Sequence, residues 1–492
     1  MTGLELGDEQ SDLPSGSPTR SYWHREPRLQ EYRSTTELPT TADVVIIGAG
    51  ITGSFAAREL CEGGRDVVLL EAREVGWGAT GRVSSHPMPH IPSHPIPVRP
   101  ILILPSSPFR HISITARKWN YAKPLQNGGH CQPNVYANKP HVASFELANY
   151  TFLKELVQRE GIPCDWETTP GVHALYEDDL VDRARRNIER LRLLDLSLAE
   201  TVSLVTDRTA LEELRLQNAV GAVVQRHAAS LWPYRLVTWV LEDLLDRFKA
   251  FNLQTGTSVV DVQRHGASWI VHTPRGQVAA SQVLVACNGY TSRVIPRFTG
   301  LIVPVQGQVA ALTPEWRASD PLGRTYVFMS EGDAPMDDYL VQTKTTRHLV
   351  YGGGRTLGTN KGWAVSSDDA IDPAVASHLR RNLNTMLTPG GKGEMPAEYE
   401  WTGIMGFSAD AYPWVGELPS TLVGARGLFV CGGYTGHGMP AAALSARAVT
   451  RMMRGEEGDI PGEFRITEGR VGRVLAGEKL SVEDYEEVFS AI

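Results

Sequence analysis

Short apolar runs rich in β-branched residues recur along the chain, several of them closed by glycine. Residues 43–47 read Asp-Val-Val-Ile-Ile and lead straight into Gly48-Ala49-Gly50-Ile51-Thr52-Gly53. The run predicts a strand buried on both faces, followed by a tight turn. A helical pattern from Ser54 to Leu60 ends near Gly63-Gly64, and a second strand, Val67 to Leu70, is closed by Glu71. Val283 to Cys287 before Asn288-Gly289, and Leu428 to Cys431 before Gly432-Gly433, repeat the strand-into-turn pattern. Helical spacing predicts helices over Val142–Glu160 and Asp178–Leu194, and from Ala229 through Leu245. The strong charge of Asp178–Leu194 marks a solvated face. Strands are predicted over Gly171–Tyr176, Thr255–Val262, Ile302–Ala311, Tyr339–Thr343 and His348–Gly352, the last three as parts of an antiparallel sheet.

The order strand, glycine turn, helix, strand, acid is the arrangement that holds a dinucleotide. Gly48 permits the tight turn, Gly50 lets backbone approach a pyrophosphate, and Gly53 lets the helix pack closely on the strand. The helix start offers free amides and partial positive charge to phosphates, and Glu71 stands where a carboxylate accepts from ribose hydroxyls. The competing reading is a glycine-rich turn without a ligand. The motif alone does not separate FAD from NAD.

Composition narrows the class. The 492 residues are 42% hydrophobic and 21% charged, ordinary for a globular chain of one to three domains. A formal charge of -8 and a pI near 6.0 argue against a nucleic-acid partner. No apolar stretch reaches the roughly 18 residues a membrane helix needs. The polar first 35 residues lack the apolar core of a signal peptide. Five scattered cysteines suit reduced thiols, so the expected location is the cytoplasm, and no metal site is expected.

Further motifs make the chain similar to the D-amino-acid, glycine and sarcosine oxidase superfamily of FAD-dependent oxidoreductases. Glu74 to Arg82 resembles the loop after its second strand, and Gly432 to Pro440 with the small-residue helix Ala441–Met453 resembles its C-terminal return to the cofactor. Ser21-Tyr22-Trp23 followed by Arg33-Ser34-Thr35 resembles the lead-in of glutamylputrescine-oxidase-like members, although these aromatics would equally pin a tail to the surface. The resemblance spans residues 40–82 and 127–455. It implies a Rossmann-type FAD-binding domain interleaved with a smaller α+β substrate domain built on an antiparallel sheet. Ala79, Thr80 and Gly81, then Asn127, Gly128 and Gly129, would form the loop against FAD. Val259 would lie near the adenine, Asn288 and Gly289 near the pyrophosphate, and Gly433, Gly436, Gly438 and Met439 near the flavin. Relatives with a covalent flavin use a cysteine shortly before the C-terminal strand; residues 388–430 contain none, which implies noncovalent FAD.

The family loop is split here by Val83–Gln126. This segment holds none of the chain's 47 glycines, none of its 56 acidic residues and nine of its 31 prolines. It begins Val83-Ser84, as a translated splice donor would, and ends in Gln126, as an acceptor would; removing it rejoins Gly81-Arg82 to Asn127-Gly128-Gly129. A retained intron is therefore one reading and a proline-rich loop the other. Prolines between His86, His90 and His94 rule out the one-face helical geometry of a metal site.

The implied domain plan is a tail over 1–39, and FAD-binding segments over 40–82, 127–170, 226–299 and 401–455. Substrate segments cover 171–225 and 300–400, the insertion 83–126, and a C-terminal extension 456–492. The implied reaction moves a hydride from the carbon next to nitrogen of a small amine or amino acid to flavin N5, with reoxidation by oxygen. A dehydrogenase using another electron acceptor, or a product inactivated by the insertion, are the alternatives. His437, Tyr434 and His130 are the candidate catalytic side chains, each equally open to a structural role.

Overall fold

The computed structural model describes residues 9–82, 130–314, 321–332, 335–388 and 390–476. Its first sheet carries β1 (Thr41–Ile47), β2 (Val67–Leu70), β3 (Phe251–Gln254), β4 (Gly276–Val285), β5 (Trp414–Glu417) and β6 (Leu428–Gly432). The order is β5-β6-β4-β1-β2-β3, parallel except for β5, with Ser268–Thr273 and Asp261–His265 added to β4 as an antiparallel meander. Side-chain alternation sorts the central strands between two cores. Val44, Ile46, Val67 and Leu69 face α1 (Ile51–Glu62), α2 (Pro140–Glu160), α3 (Pro233–Arg247) and α4 (Ala442–Met453). Val45, Ile47, Val68 and Leu70 face the meander through Trp269, Val271 and Val278. Pro140 and Pro233 open their helices, where a missing N–H is harmless.

A second, nine-stranded sheet runs Ala397–Ser408, Ile302–Leu312, Leu349–Gly352, Met336–Gln342, Thr325–Ser330, Glu167–Leu175, Gly221–Ser230 and His130–Cys131, with Val202–Val205 also on Gly221–Ser230. All its pairs are antiparallel except Thr325–Ser330 against Glu167–Leu175. The chain passes repeatedly between the two sheets, so the architecture is two interleaved α/β units. Among the described residues no helix is long and apolar enough to cross a membrane.

Several sequence expectations change. Thr255–Val262 is not one strand: β3 ends at Gln254, because Gly256 turns the backbone left-handed (φ +56°), and pairing resumes only at Asp261. Ala229 and Ser230 end a strand, and the helix starts at Pro233. Boundaries at 170, 225 and 400 would cut Glu167–Leu175, Gly221–Ser230 and Ala397–Ser408, and Trp401-Thr402-Gly403 lies within the second sheet. The expected tail over 1–39 falls partly on residues outside the described set. From Glu9 onward the segment packs, with Tyr22 and Trp23 buried against Trp232, Tyr234 and Trp401. The interrupting segment Val83–Gln126 also lies outside the described residues.

Candidate functional site: a dinucleotide cleft reaching the second sheet

Pairing puts Ile47 level with both Leu70 and Val285, so the residues after β1, β2 and β4 emerge at one edge. The carboxyl edge of a parallel sheet is where such folds bind ligands. Gly48 leaves β1 at φ +107°, and a Cβ there would lie 2.9 Å from the Ala286 carbonyl oxygen. A Cβ on Gly53 would fall 1.9 Å from the Gly48 carbonyl oxygen, so only glycine lets α1 pack against the turn. A Cβ on Gly50 would meet only Thr80 Oγ1, at 3.1 Å, with open cleft beyond. No side chain at Gly50 caps α1; Thr80 Oγ1 instead accepts from the Ile51 amide at 2.9 Å.

Glu71 lines the same cleft. Its Oε2 accepts from the Ala49 amide at 2.8 Å and its Oε1 from the Arg73 amide at 2.9 Å, leaving a further lone pair on each oxygen for ribose hydroxyls. Asn288, held left-handed at φ +49°, accepts on Oδ1 from the Gly433 and Tyr434 amides at 2.9 and 3.4 Å. That bond ties the turn after β4 to the turn after β6. Thr435 links the second turn to the second sheet, its amide donating to the Gly406 carbonyl at 2.8 Å. Ile404 and Met405 from Ala397–Ser408 accordingly wall the cleft beside Gly436 and Gly438.

Nine of the expected cofactor residues line this cleft: Gly48, Gly50, Glu71, Ala79, Thr80, Val259, Asn288, Gly436 and Gly438. Gly53, Gly289 and Gly433 serve close packing: Cβ atoms there would strike the Gly48 carbonyl, the Met405 carbonyl and Ile302. Gly81 faces His24, whose Nε2 would lie 2.4 Å from its Cβ. Met439 is buried, its carbonyl accepting from Asn149 Nδ2 at 2.9 Å. Asn127, Gly128 and Gly129 lie outside the described residues.

The three expected catalytic side chains do not converge. Tyr434 lines the cleft, but its hydroxyl sits 2.8 Å from Thr52 Oγ1 and 3.3 Å from Cys431 Sγ, and burial holds it neutral well above the usual phenol range. The left-handed turn at Thr435 and Gly436 sends His437 the other way, its Nε2 3.0 Å from Glu146 Oε2 on α2. It lines a second small cavity with Asn134 and Tyr412, of which Tyr434 also forms part of the wall, while His130 lines neither. His130 is buried in the second sheet, where Nε2 donates to the Leu340 carbonyl at 2.9 Å. Burial lowers its pKa to about 4, against the raising effect of that bond.

Long-range residues hold the loop after β2. Asp368, from between the second-sheet strands, pairs with Arg73 at 2.9 Å and Arg82 at 3.0 Å; all three are nearly or fully buried. Arg82 also donates to the Thr402 carbonyl at 3.0 Å and to Thr19. Nothing in the sequence marks Asp368 as their partner, since the pairing spans 295 residues from Arg73. Cys287 also lines the cleft, but burial pushes its thiol far above the normal range, and it donates to the Ile47 carbonyl at 3.3 Å. Its sulfur is therefore held as the thiol, the poorly nucleophilic form. No group of three or more His, Cys, Asp or Glu able to hold a metal exists among the described residues.

The donor set fits FAD. A helix start whose N-cap is a bare glycine with an open face suits a diphosphate, the acid after β2 a ribose, and the apolar walls at Ile47, Leu70 and Val259 an adenine. A cleft of this build, carried from a parallel sheet onto an antiparallel one, defines a two-domain flavin-dependent oxidoreductase. Residues 43–452 match the DAO family, FAD dependent oxidoreductases, and the chain belongs to that family. It is 24% identical over 445 residues to gamma-glutamylputrescine oxidoreductase of Escherichia coli K12, covering 89% of each chain. Glycine oxidase from Geobacillus kaustophilus shares the fold with a TM-score of 0.64 at 19% identity, over 87% of this chain and 99% of that one. L-proline dehydrogenase from P. horikoshii does so with a TM-score of 0.64 at 18% identity, over 90% and 100%.

Proposed function

We propose that the protein oxidises a small amine or amino acid, with noncovalently bound FAD as the immediate acceptor and oxygen as the final one, in the cytoplasm. The observation that carries this reading is the meeting of Ile404 and Met405 with Gly436 and Gly438 in one cleft, which brings the second sheet against the turn we assign to the flavin. Bound FAD supplies the acceptor for a hydride leaving the carbon next to nitrogen, as C–N becomes C=N and the nitrogen lone pair supplies the new bond. Water then hydrolyses the imine to a carbonyl compound and a free amine or ammonia. In the family this needs no triad and no metal. The chain's own work is to orient the reactants, to exclude water, and to offer the Gly436 and Gly438 amides, the turn's other amides being held by Asn288, Gly406 and Tyr434, to the charge that grows on the reduced ring.

We assign cofactor contact to Gly48, Gly50, Glu71, Ala79, Thr80, Val259, Asn288, Gly436 and Gly438, with Gly53, Gly289 and Gly433 as packing positions that keep the turns close. Asn127, Gly128, Gly129, Gly81 and Met439 belong to this assignment as loop neighbours. We keep His437, Tyr434 and His130 as candidates for tuning turnover through their neighbours. The resemblance to relatives named both oxidase and dehydrogenase favours carrying the second acceptor as an alternative.

The test is anaerobic mixing of the yellow holoprotein with small amines and amino acids. Bleaching of the flavin band by one of them, followed by oxygen uptake and peroxide release in air, is the expected result. Bleaching without oxygen uptake, with electrons passing to an artificial dye, assigns a dehydrogenase. Failure of every nitrogenous donor to bleach the flavin overturns the reading.

A further inference from the structure

One wall of the FAD cleft is made by residues that precede the first strand of the domain. Leu13 and Pro14 line the cleft together with Ile47, Leu70 and Val259. They are held there from both sides. Upstream, Ser11 is fully buried; its amide donates to Ser292 Oγ at 2.9 Å, its hydroxyl lies 2.9 Å from the same oxygen, and its Oγ accepts from the Arg293 amide at 3.1 Å. Gln10 Nε2 adds a bond to the Ser292 carbonyl at 3.2 Å. Downstream, the Ser15 carbonyl accepts from Arg73 Nη1 at 3.2 Å. Residues 11–15 thus run from the turn after β4 to the loop after β2, across the place where those two strands end.

Two features of this crossing have no use within the protein itself. Leu13 remains 38% exposed although Ser11, two residues away, is fully buried; an apolar side chain left open at a cleft wall suits a flat aromatic ring. Arg293 also lines the cleft, and its side chain makes no hydrogen bond or ion pair among the described residues, whereas Arg73 and Arg82 share the Asp368 carboxylate. A guanidinium without a carboxylate beside a nucleotide cleft is matched by a diphosphate.

We propose that Ser11–Ser15 and Arg293 form a clasp over the dinucleotide half of the FAD cleft, with the Ser11–Ser292 contact as its latch. Cofactor release then requires the latch to open, whatever the amine substrate. The test is the rate at which free-flavin fluorescence returns after dilution of the holoprotein. Ser11→Ala, and separately Leu13→Gly with Pro14→Gly, should accelerate release by about tenfold, the size of one lost buried hydrogen bond or its equivalent in contact. Arg293→Gln should weaken competition by ADP about tenfold while leaving competition by adenosine, which lacks the diphosphate, unchanged. Melting of each apoprotein at the wild-type temperature separates these effects from misfolding. Unchanged release from the Ser11 and Leu13 variants overturns the clasp. Equal losses of ADP and adenosine binding in Arg293→Gln overturn the role of the guanidinium, and if a Ser11 variant fails to fold, the Arg293 and Leu13 measurements still decide.

Discussion

Three histidines show how far burial reshapes single residues. His24, His130 and His173 are held neutral chiefly by desolvation, with pKa values near 3, 4 and 3. Each is depressed below the ordinary value of 6.5, so the unfolded chain takes up these protons before the folded one does. Stability should therefore be fully present above pH 6.5 and fall steadily as pH drops towards 4 and 3, where the folded forms themselves protonate. Urea midpoints measured across that range check this, and His173→Gln should flatten the slope. Gly53→Ala tests geometry in the same way. With a Cβ 1.9 Å from a backbone oxygen, α1 must move off the turn, and the purified variant should lose its flavin absorbance. Single residues were also the hardest to read from sequence. Gly48, Gly53 and Glu71 were legible because a local pattern fixes their place. His437 was not, because residue type says nothing about which way a left-handed turn at Gly436 throws the ring.

Among elements, those with an uninterrupted period were legible almost to the residue. Asp178–Leu194 forms the helix its spacing predicts, burying Leu180, Val181, Ala184, Ile188 and Leu191. Thr255–Val262 failed because Gly256 breaks an otherwise strand-like run, and propensity carries no knowledge of where pairing partners stop. Contacts between elements were illegible altogether, and Asp368 is the clearest case. It joins the loop after β2 to the second sheet through Arg73 and Arg82. Asp368→Asn would leave two buried guanidinium groups without their carboxylate, and the expected loss is about 3 kcal/mol of stability. Denaturant unfolding of the apoprotein measures it, and flavin content should fall in parallel because the same loop carries Ala79 and Thr80. A comparable tie fixes the C-terminal region: Arg470 on Glu468–Leu475 holds Asp410 at 2.7 and 2.8 Å and the Pro413 carbonyl at 2.9 Å.

At the scale of the whole molecule, the family match runs from residue 43 to 452 and so spans Val83–Gln126. We propose that this segment is not part of the working protein. A variant lacking it should bind FAD in full, seen as the visible flavin band at one cofactor per chain, and the 492-residue form should be less yellow. Equal colour in both would make the segment a tolerated loop, and its retention in mature messenger RNA would dispose of the intron reading.

The Arg73–Asp368 pair has a consequence for how the protein is made. The two residues are 295 positions apart, and β6, which completes the parallel sheet beside β4, ends only at Gly432. A chain emerging from the ribosome therefore cannot tie the loop after β2 to Asp368 until most of its length has been translated. On that reading flavin capture should be a late, largely post-synthetic event, and a chain truncated before residue 368 should purify colourless, as its visible spectrum would show.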